Sequence, residues 1–326
     1  MAAVNMLTAI HDTIADEMAR DERVLLLGED VGQNGGVFRA TDGLFDRFGD
    51  ARVFDTPLAE AAIVGATIGL SVAGFVPVAE IQFAGFSAQA YHQITTQLAR
   101  LRYRSRGRFS CPVTVRAPYG GGVRTPEHHA DSVEAPFVHT PGLKVVVPST
   151  AADARGLLAS AIRDPDPVLF LEPIPLYRRA REDLPEGEHL VELGRARVVR
   201  EPGDAVIVAW GAMVDVACAA ADAVAEHRGA HVGVVDLRTL SPLDVDTLTR
   251  VAEQAGRVVV VHEAPLTAGF GAEVVATIQE AAFWSLEAPV TRVAGYDLPG
   301  PVPLLEDWCR PDAATVALAV ESVLDA

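Results

Sequence analysis

Two clusters in the sequence carry residue types that do chemistry. The first is Asp55-Thr56-Pro57-Leu58-Ala59-Glu60, followed by the apolar run Ala61-Ala62-Ile63-Val64. A carboxylate entering the first turn of an apolar helix has two readings. It complements the helix dipole and bonds orphan amides, or it is a buried acid whose partner is a ligand donor such as a ring nitrogen. The second cluster is Gly120-Gly121-Gly122-Val123-Arg124-Thr125-Pro126-Glu127-His128-His129-Ala130-Asp131-Ser132, directly after an apolar strand pattern. Loops after the carboxyl ends of parallel strands build active sites, which makes this a site loop; a surface loop with incidental histidines is the alternative. Adjacent histidines without helical spacing or a third ligand argue against zinc.

Other chemistries find little support. A nicotinamide enzyme would open a strand-turn-helix unit with G-x-G-x-x-G, and the nearest match, Gly269-Phe270-Gly271-Ala272-Glu273-Val274, lacks the last glycine. The P-loop and G-x-S-x-G patterns are absent, and His262-Glu263 leads into Ala264-Pro265-Leu266 with no second histidine one turn on. Cys111, Cys218 and Cys309 are far apart and odd in number, which reads as reduced thiols packed as small hydrophobes. Lys144, the single lysine, follows Pro141-Gly142-Leu143 at a strand start and reads as structural or solvated rather than as a Schiff-base group.

The elements that position these clusters follow from composition and periodicity. The chain has 326 residues, 49% of them hydrophobic and 22% charged, with a mean hydropathy of +0.21, all in the range of folded globular protein. A formal net charge of −17 opposes nucleic acid and anionic membranes as partners. Residues 61–79 carry no charge, but Gly74 and Pro77 divide them into a core helix and a strand, which argues against a membrane span. The N-terminal segment has the amphipathic pattern Met6, Ile10, Ile14, Met18, without a basic region leading into an apolar one, and a cytoplasmic protein is expected. Strand patterns at 24–27, 52–54, 75–83, 113–117, 144–147 and 168–171 alternate with helical ones at 41–48, 59–73, 87–103 and 150–162. That alternation predicts an α/β fold with mainly parallel sheets, doubly wound by helices. A charged, turn-prone stretch assigned to 181–194 separates this domain, 1–180, from a second α/β domain, 195–326, with about four parallel strands.

The motifs converge on a known family. Gly28-Glu29-Asp30-Val31 with Gly35-Gly36-Val37-Phe38-Arg39, Asp55-Thr56-Pro57-Leu58-Ala59-Glu60, Ala79-Glu80-Ile81-Gln82-Phe83, Arg102-Tyr103-Arg104, Pro141-Gly142-Leu143-Lys144-Val145-Val146 and Val235-Asp236-Leu237-Arg238-Thr239-Leu240 stand in the right order over nearly the whole chain. Together they closely resemble the beta subunit of the thiamine-diphosphate-dependent 2-oxoacid dehydrogenases, the decarboxylating component of the pyruvate and branched-chain 2-oxoacid dehydrogenase complexes.

The resemblance implies a transketolase-like pyrimidine-binding domain followed by a C-terminal transketolase-like domain. It implies an α2β2 heterotetramer in which the alpha subunit holds the diphosphate through magnesium and the beta subunit holds the aminopyrimidine. In agreement, the sequence lacks the Gly-Asp-Gly...Asn motif that grips magnesium diphosphate. By the resemblance, Glu60 hydrogen-bonds the pyrimidine ring nitrogen and promotes the proton shift that activates the thiazolium carbon, while Leu58, Gln82 and Phe86 line the ring. His129, with His128 as the fallback, matches the histidine near the reacting carbon. A potassium site is implied at the backbone of Cys111, Val113, Thr114, Ala161 and Ile162 with Asp164 and Asp166. Asp166 stands where family members often carry Asn, and Pro112 interrupts the other half. The implied reaction is oxidative decarboxylation of pyruvate or a branched-chain 2-oxoacid, with acyl transfer to a lipoyl-bearing dihydrolipoyl acyltransferase. The C-terminal domain is implied in beta-beta contact and docking to that core. Acetoin dehydrogenase is a further relative. A non-catalytic assembly subunit is the rival from another class, against which an acid placed among apolar residues at Glu60 counts.

Overall fold

The computed structural model describes residues 3–179, 182–185, 187–299 and 302–326. Ala180, at the end of the expected first domain, and Arg181 and Glu186, in the expected linker, lie outside the described residues. The chain divides into two compact units, Met1–Tyr119 with Pro136–Leu193, and Gly120–Ala135 with Gly194–Ala326. The glycine-histidine loop thus groups with the second unit, whereas the sequence reading counts it in the first domain.

The strands of the first unit are β1 (Val24–Gly28), β2 (Val53–Asp55), β3 (Val76–Glu80), β4 (Thr114–Tyr119), β5 (Lys144–Val146) and β6 (Val168–Pro173). They lie in the order β5-β6-β4-β3-β1-β2, and every one of these pairs is parallel. All residues of β1, β3, β4 and β6 are buried, as expected of Val- and Leu-rich strands covered by helices on both faces. The helices Met6–Arg20 and Ala151–Arg163 pack on each other and begin at side-chain caps, Asn5 accepting from Thr8 N and Thr150 from Asp153 N. Such caps contribute about 1 kcal/mol each. The helix Glu60–Val72 starts differently, because Ala59 offers no capping side chain. Its Ile63 packs with Leu27 of β1 and Ala79 of β3.

Three expected elements differ in the structure. The helix expected over 87–103 is broken into a 3-10 segment Ala84–Ala90, a π-helical segment Gln93–Leu98 and a short α-helix Leu101–Arg104. Ser87 Oγ donates to Ala84 O at 2.5 Å and Thr95 Oγ1 to Tyr91 O at 2.8 Å, so hydroxyls compete for the carbonyls a regular helix would use. The consecutive β-branched Ile94, Thr95 and Thr96 add their own crowding. The strand expected over 75–83 spans Val76–Glu80. The helix expected over 41–48 shortens to Leu44–Phe48, because Gly43 precedes it at φ +77°, a conformation that suits glycine.

In the second unit the strands are β7 (Arg197–Arg200), β8 (Ala205–Ala209), β9 (Val232–Asp236), β10 (Thr239–Ser241), β11 (Val258–Pro265) and β12 (Thr291–Gly295). Five form a sheet in the order β12-β11-β8-β9-β7. The pairs among β12, β11, β8 and β9 are parallel, whereas β7 runs antiparallel to β9. The sequence reading passes over β7 because it is a half-buried edge strand bounded by arginines, without the continuous apolar run of the interior strands. Helix Ala313–Leu324, also outside the expected series, packs on helix Met213–Arg228. Among the described residues no helix is long and apolar enough to cross a membrane.

Candidate active site

In the first unit the parallel register gathers the chemistry at the carboxyl ends of neighbouring strands. Gly28, the last residue of β1, pairs with Asp55 of β2 on one side and Glu80 of β3 on the other. The segments that follow these strands carry Glu29, then Leu58 and Glu60, then Gln82 and Phe86. This is where ligands bind in open α/β sheets.

Glu60 opens its helix with only 4% of its surface exposed, and its Oε2 is buried without a hydrogen-bond partner. Dipole complementation does not account for this atom, since a buried acceptor left alone costs about 1–3 kcal/mol. The arrangement fits an incoming donor such as a ring nitrogen carrying a proton. Glu29 lies in the same field, its carboxyl raised above the ordinary range by burial and then by the charges of Asp30 and Glu60. Phe86 is half-buried, edge-on to Phe83 at 5.8 Å between centroids, and Phe83 meets Phe38 edge-on at 5.5 Å. Gln82 is half-buried, and Leu58 is 67% exposed.

Behind this wall lies an ion-pair network that the sequence reading does not single out. Arg116 of β4 is fully buried and donates from Nη1 to Glu80 at 2.8 Å and from Nε and Nη2 to Glu172 of β6 at 2.7 and 3.0 Å. Tyr177 Oη also donates to Glu172. Burial pushes the Glu80 carboxyl up against the opposing pull of Arg116. Burial disfavours the charged form of Arg116 too, yet the two carboxylates hold its affinity for the proton above the usual value. The available signal was a charged residue inside or at the end of each otherwise apolar strand.

The second unit carries the histidines. The loop after β4 closes at its base, where Gly120 N donates to Asp131 O at 3.3 Å, and holds a 3-10 turn Glu127–His129. The two imidazoles are 4.2 Å apart between centroids. His128 is more than half exposed, its Nδ1 3.4 Å from Glu127 Oε1. His129 is half-buried, and burial first, then the charge of His128, lowers its affinity for a proton, favouring the neutral imidazole. Glu134, at the end of this loop, is 1% exposed and accepts from Trp210 Nε1 at 3.2 Å, while its Oε2 has no partner. Burial pushes its carboxyl up to about 7. Sequence reasoning missed Glu134, which looks like one more acid at a helix start. Glu60, Gln82 and Phe86 therefore belong to one unit and His128 and His129 to the other.

The expected potassium residues do come together within the first unit. Cys111 N donates to Pro165 O at 3.0 Å, and Thr114 pairs with Val168, which sets 111–114 beside 161–166. Both carboxylates already hold cations: Lys144 Nζ lies 2.6 Å from each oxygen of Asp164, and Arg102 Nε bonds Asp166.

Fold and site together define a two-domain, transketolase-like α/β protein. The family description "Transketolase, pyrimidine binding domain" matches residues 2–179, and "Transketolase, C-terminal domain" matches residues 194–316. A split-gene transketolase solved as an inactive beta4 tetramer is similar with a TM-score of 0.79 and 26% identity, over 99% of each chain. Transketolase from Leishmania mexicana shares the fold at TM-score 0.70 and 18% identity, over 100% of this chain and 46% of that one. The chain is also 52% identical over 325 residues to the pyruvate dehydrogenase E1 component subunit beta of Bacillus subtilis, and 48% identical over 325 residues to that of Staphylococcus epidermidis, with 100% of each chain covered in both cases. It belongs to their family, the beta subunits of the thiamine-diphosphate-dependent 2-oxoacid dehydrogenases.

Proposed function

We propose that this chain is the beta subunit of an α2β2 enzyme that decarboxylates pyruvate on thiamine diphosphate and passes the acetyl group to the lipoyl group of a dihydrolipoyl acyltransferase. The observation that carries the reading is the buried, partnerless Glu60 oxygen, found in a chain 52% identical to a pyruvate dehydrogenase beta subunit. The names of the relatives favour pyruvate over a branched-chain 2-oxoacid and favour neither acetoin chemistry nor a scaffold. Bound thiamine diphosphate supplies the carbon nucleophile and electron sink that 2-oxoacid decarboxylation needs.

This chain's own residues would do the rest. Glu60 would share a proton with the aminopyrimidine ring nitrogen in a place shielded from water. Phe86 would lie against the ring, with Gln82 and Leu58 completing the wall. His129, held neutral, would orient the substrate and the incoming lipoyl group by hydrogen bonds. Magnesium would be held by the alpha subunit. The compartment we assign is the cytoplasm, consistent with three free cysteines among the described residues.

For potassium, the proposed ligands are the backbone oxygens of Cys111, Val113, Thr114, Ala161 and Ile162 with Asp164 and Asp166, an oxygen-only set that suits a hard cation. The carboxylates would be shared with Lys144 and Arg102, which predicts weak binding. Replacing KCl with NaCl at equal ionic strength should lower the melting temperature of the assembled enzyme, and an unchanged value removes potassium from the proposal.

The deciding experiment is 2-oxoacid-dependent dye reduction by the chain assembled with its alpha partner. Pyruvate is compared with 3-methyl-2-oxobutanoate, with and without thiamine diphosphate and magnesium. Cofactor-dependent turnover that prefers pyruvate is expected. No turnover from a folded tetramer with either acid would overturn the reading.

A further inference from the structure

The glycine-histidine loop is held by carboxylates that belong to none of the family motifs described above. Gly122 N donates to Glu306 Oε1 at 2.5 Å and Arg124 N to Glu306 Oε2 at 2.7 Å. Gly121 N donates to Glu263 Oε1 at 2.5 Å, and Arg310 braces Glu263 through Nε at 3.1 Å. Glu306 is 1% exposed, so its charge is compensated by backbone amides rather than by water. All these residues lie in the second unit.

The glycines explain how three successive parts of one loop can face two acids. Gly120 and Gly122 sit at φ +83° and +95°, which turns neighbouring N–H groups to one side, an arrangement known to bind anions. A side chain at Gly121 would begin 2.5 Å from Glu306 Oε1, so the carboxylate occupies the space a Cβ would need. Here the anion is built in, delivered by the start of the short helix Glu306–Cys309. Five residues beyond Arg124 stands His129, with the loop base closed between Gly120 and Asp131.

We propose that Glu306, seconded by Glu263, is a positioning residue for the reaction: its carboxylate clamps the 120–124 amides and so fixes the loop that presents His129. The inference rests on the reading that His129 works on the substrate. A charge-assisted bond to each amide holds the loop in one conformation, and its loss frees the loop without unfolding the sheet behind it.

The test uses the assembled enzyme with Glu306→Gln, which keeps the shape but turns an NH2 group towards one of the two amide donors. Amide hydrogen exchange in residues 120–131 should rise about tenfold or more, from the loss of one charge-assisted bond, with exchange in β11 and helix Gly271–Ala282 unchanged. kcat with pyruvate should fall about tenfold, while KM and the affinity for thiamine diphosphate stay within about twofold, the signature of a contact that matters after binding. Unchanged loop exchange overturns the clamp, and faster exchange with the parent's kcat overturns the positioning role. Should Glu306→Gln fail to assemble, Glu263→Gln breaks the second clamp at Gly121 and is read by the same two criteria. His129→Ala is measured in parallel. Full turnover by that variant sinks the role given to His129, and a loss of turnover there with no effect of Glu306→Gln sinks the clamp alone.

Discussion

Glu60 and Glu134 are both buried carboxyls with one partnerless oxygen, yet their chemistry differs. Glu60 follows β2 at the carboxyl edge of the first sheet, the same edge at which β3 leads into Gln82 and Phe86. Glu60→Gln keeps the shape and removes the exchangeable carboxyl proton. It should lower cofactor-dependent turnover by about a hundred- to ten-thousandfold, the span of general acid–base contributions, with the tetramer intact by gel filtration. Near-normal rates would refute the assigned role. Glu134 is bonded to Trp210 instead and predicts a pH effect on stability. Folded Glu134 keeps its proton up to about pH 7, whereas the unfolded side chain loses it near 4.5. The folded state binds more protons in that window, so stability falls as pH rises through it, by up to about 3 kcal/mol. Glu134→Gln removes this slope, and its melting temperature should gain on the parent's from about pH 5 to about pH 7.5. Equal profiles would show that the carboxyl is not desolvated. His262, held down to about 4 by burial and then by Arg292, acts in the opposite sense and costs stability as pH falls below 6.5. Only the difference between variant and parent isolates Glu134.

At the level of elements, β3, β4 and β6 are joined by more than their ladders. Arg116, inside β4, ties Glu80 at the end of β3 to Glu172 near the end of β6, and Glu80 stands two residues before Gln82. Replacing one partner of a buried network strands the others, at a cost of about 3–5 kcal/mol. Arg116→Met should therefore lower the melting temperature sharply and weaken thiamine diphosphate binding, because the two carboxylates would repel. A variant as stable as the parent would mean that Glu80 takes up a proton and relaxes the pair. This network was legible only in part. A charge in each apolar strand was visible, but that the three meet depends on the order β6-β4-β3, which places strands from distant parts of the sequence side by side. The irregular run 84–104 was hidden for a related reason: its apolar spacing is helical, and local hydroxyl–carbonyl bonds decide its pitch.

For the molecule as a whole, the proposal that the chain holds only the pyrimidine side of the cofactor predicts that it binds the cofactor poorly alone. Leu58, which the proposal puts at the ring, is 67% exposed in this chain, as the proposed completion of that site by an alpha subunit requires. Thiamine diphosphate should bind the isolated chain at least about a hundredfold more weakly than the assembled tetramer, a difference of about 2.7 kcal/mol. Titration calorimetry of the two samples measures this, and tight binding to the isolated chain would overturn the half-site reading. The net charge of −17 belongs to the same scale, since it sets which polyanions are repelled and leaves the fold undecided.

The amino-acid order by itself determined the α/β class, the sites of most strands, the glutamate at a helix start and the histidine loop, because apolar periodicity and turn chemistry are local properties. Family motifs in order over the chain were enough to name the chemistry. Tertiary structure alone decided which acids are orphaned and which are paired. Glu60, Glu134 and Glu306 look alike in sequence, yet Glu60 and Glu134 each leave a buried oxygen without a partner, Glu134 bonds a tryptophan besides, and Glu306 fills a cradle of backbone amides. It also decided that residues 120–135 group with the second unit. Their anchors, Trp210, Glu263 and Glu306, come from strand ends and a helix far along the chain, and burial and hydrogen bonding between such distant segments leave no periodicity to read.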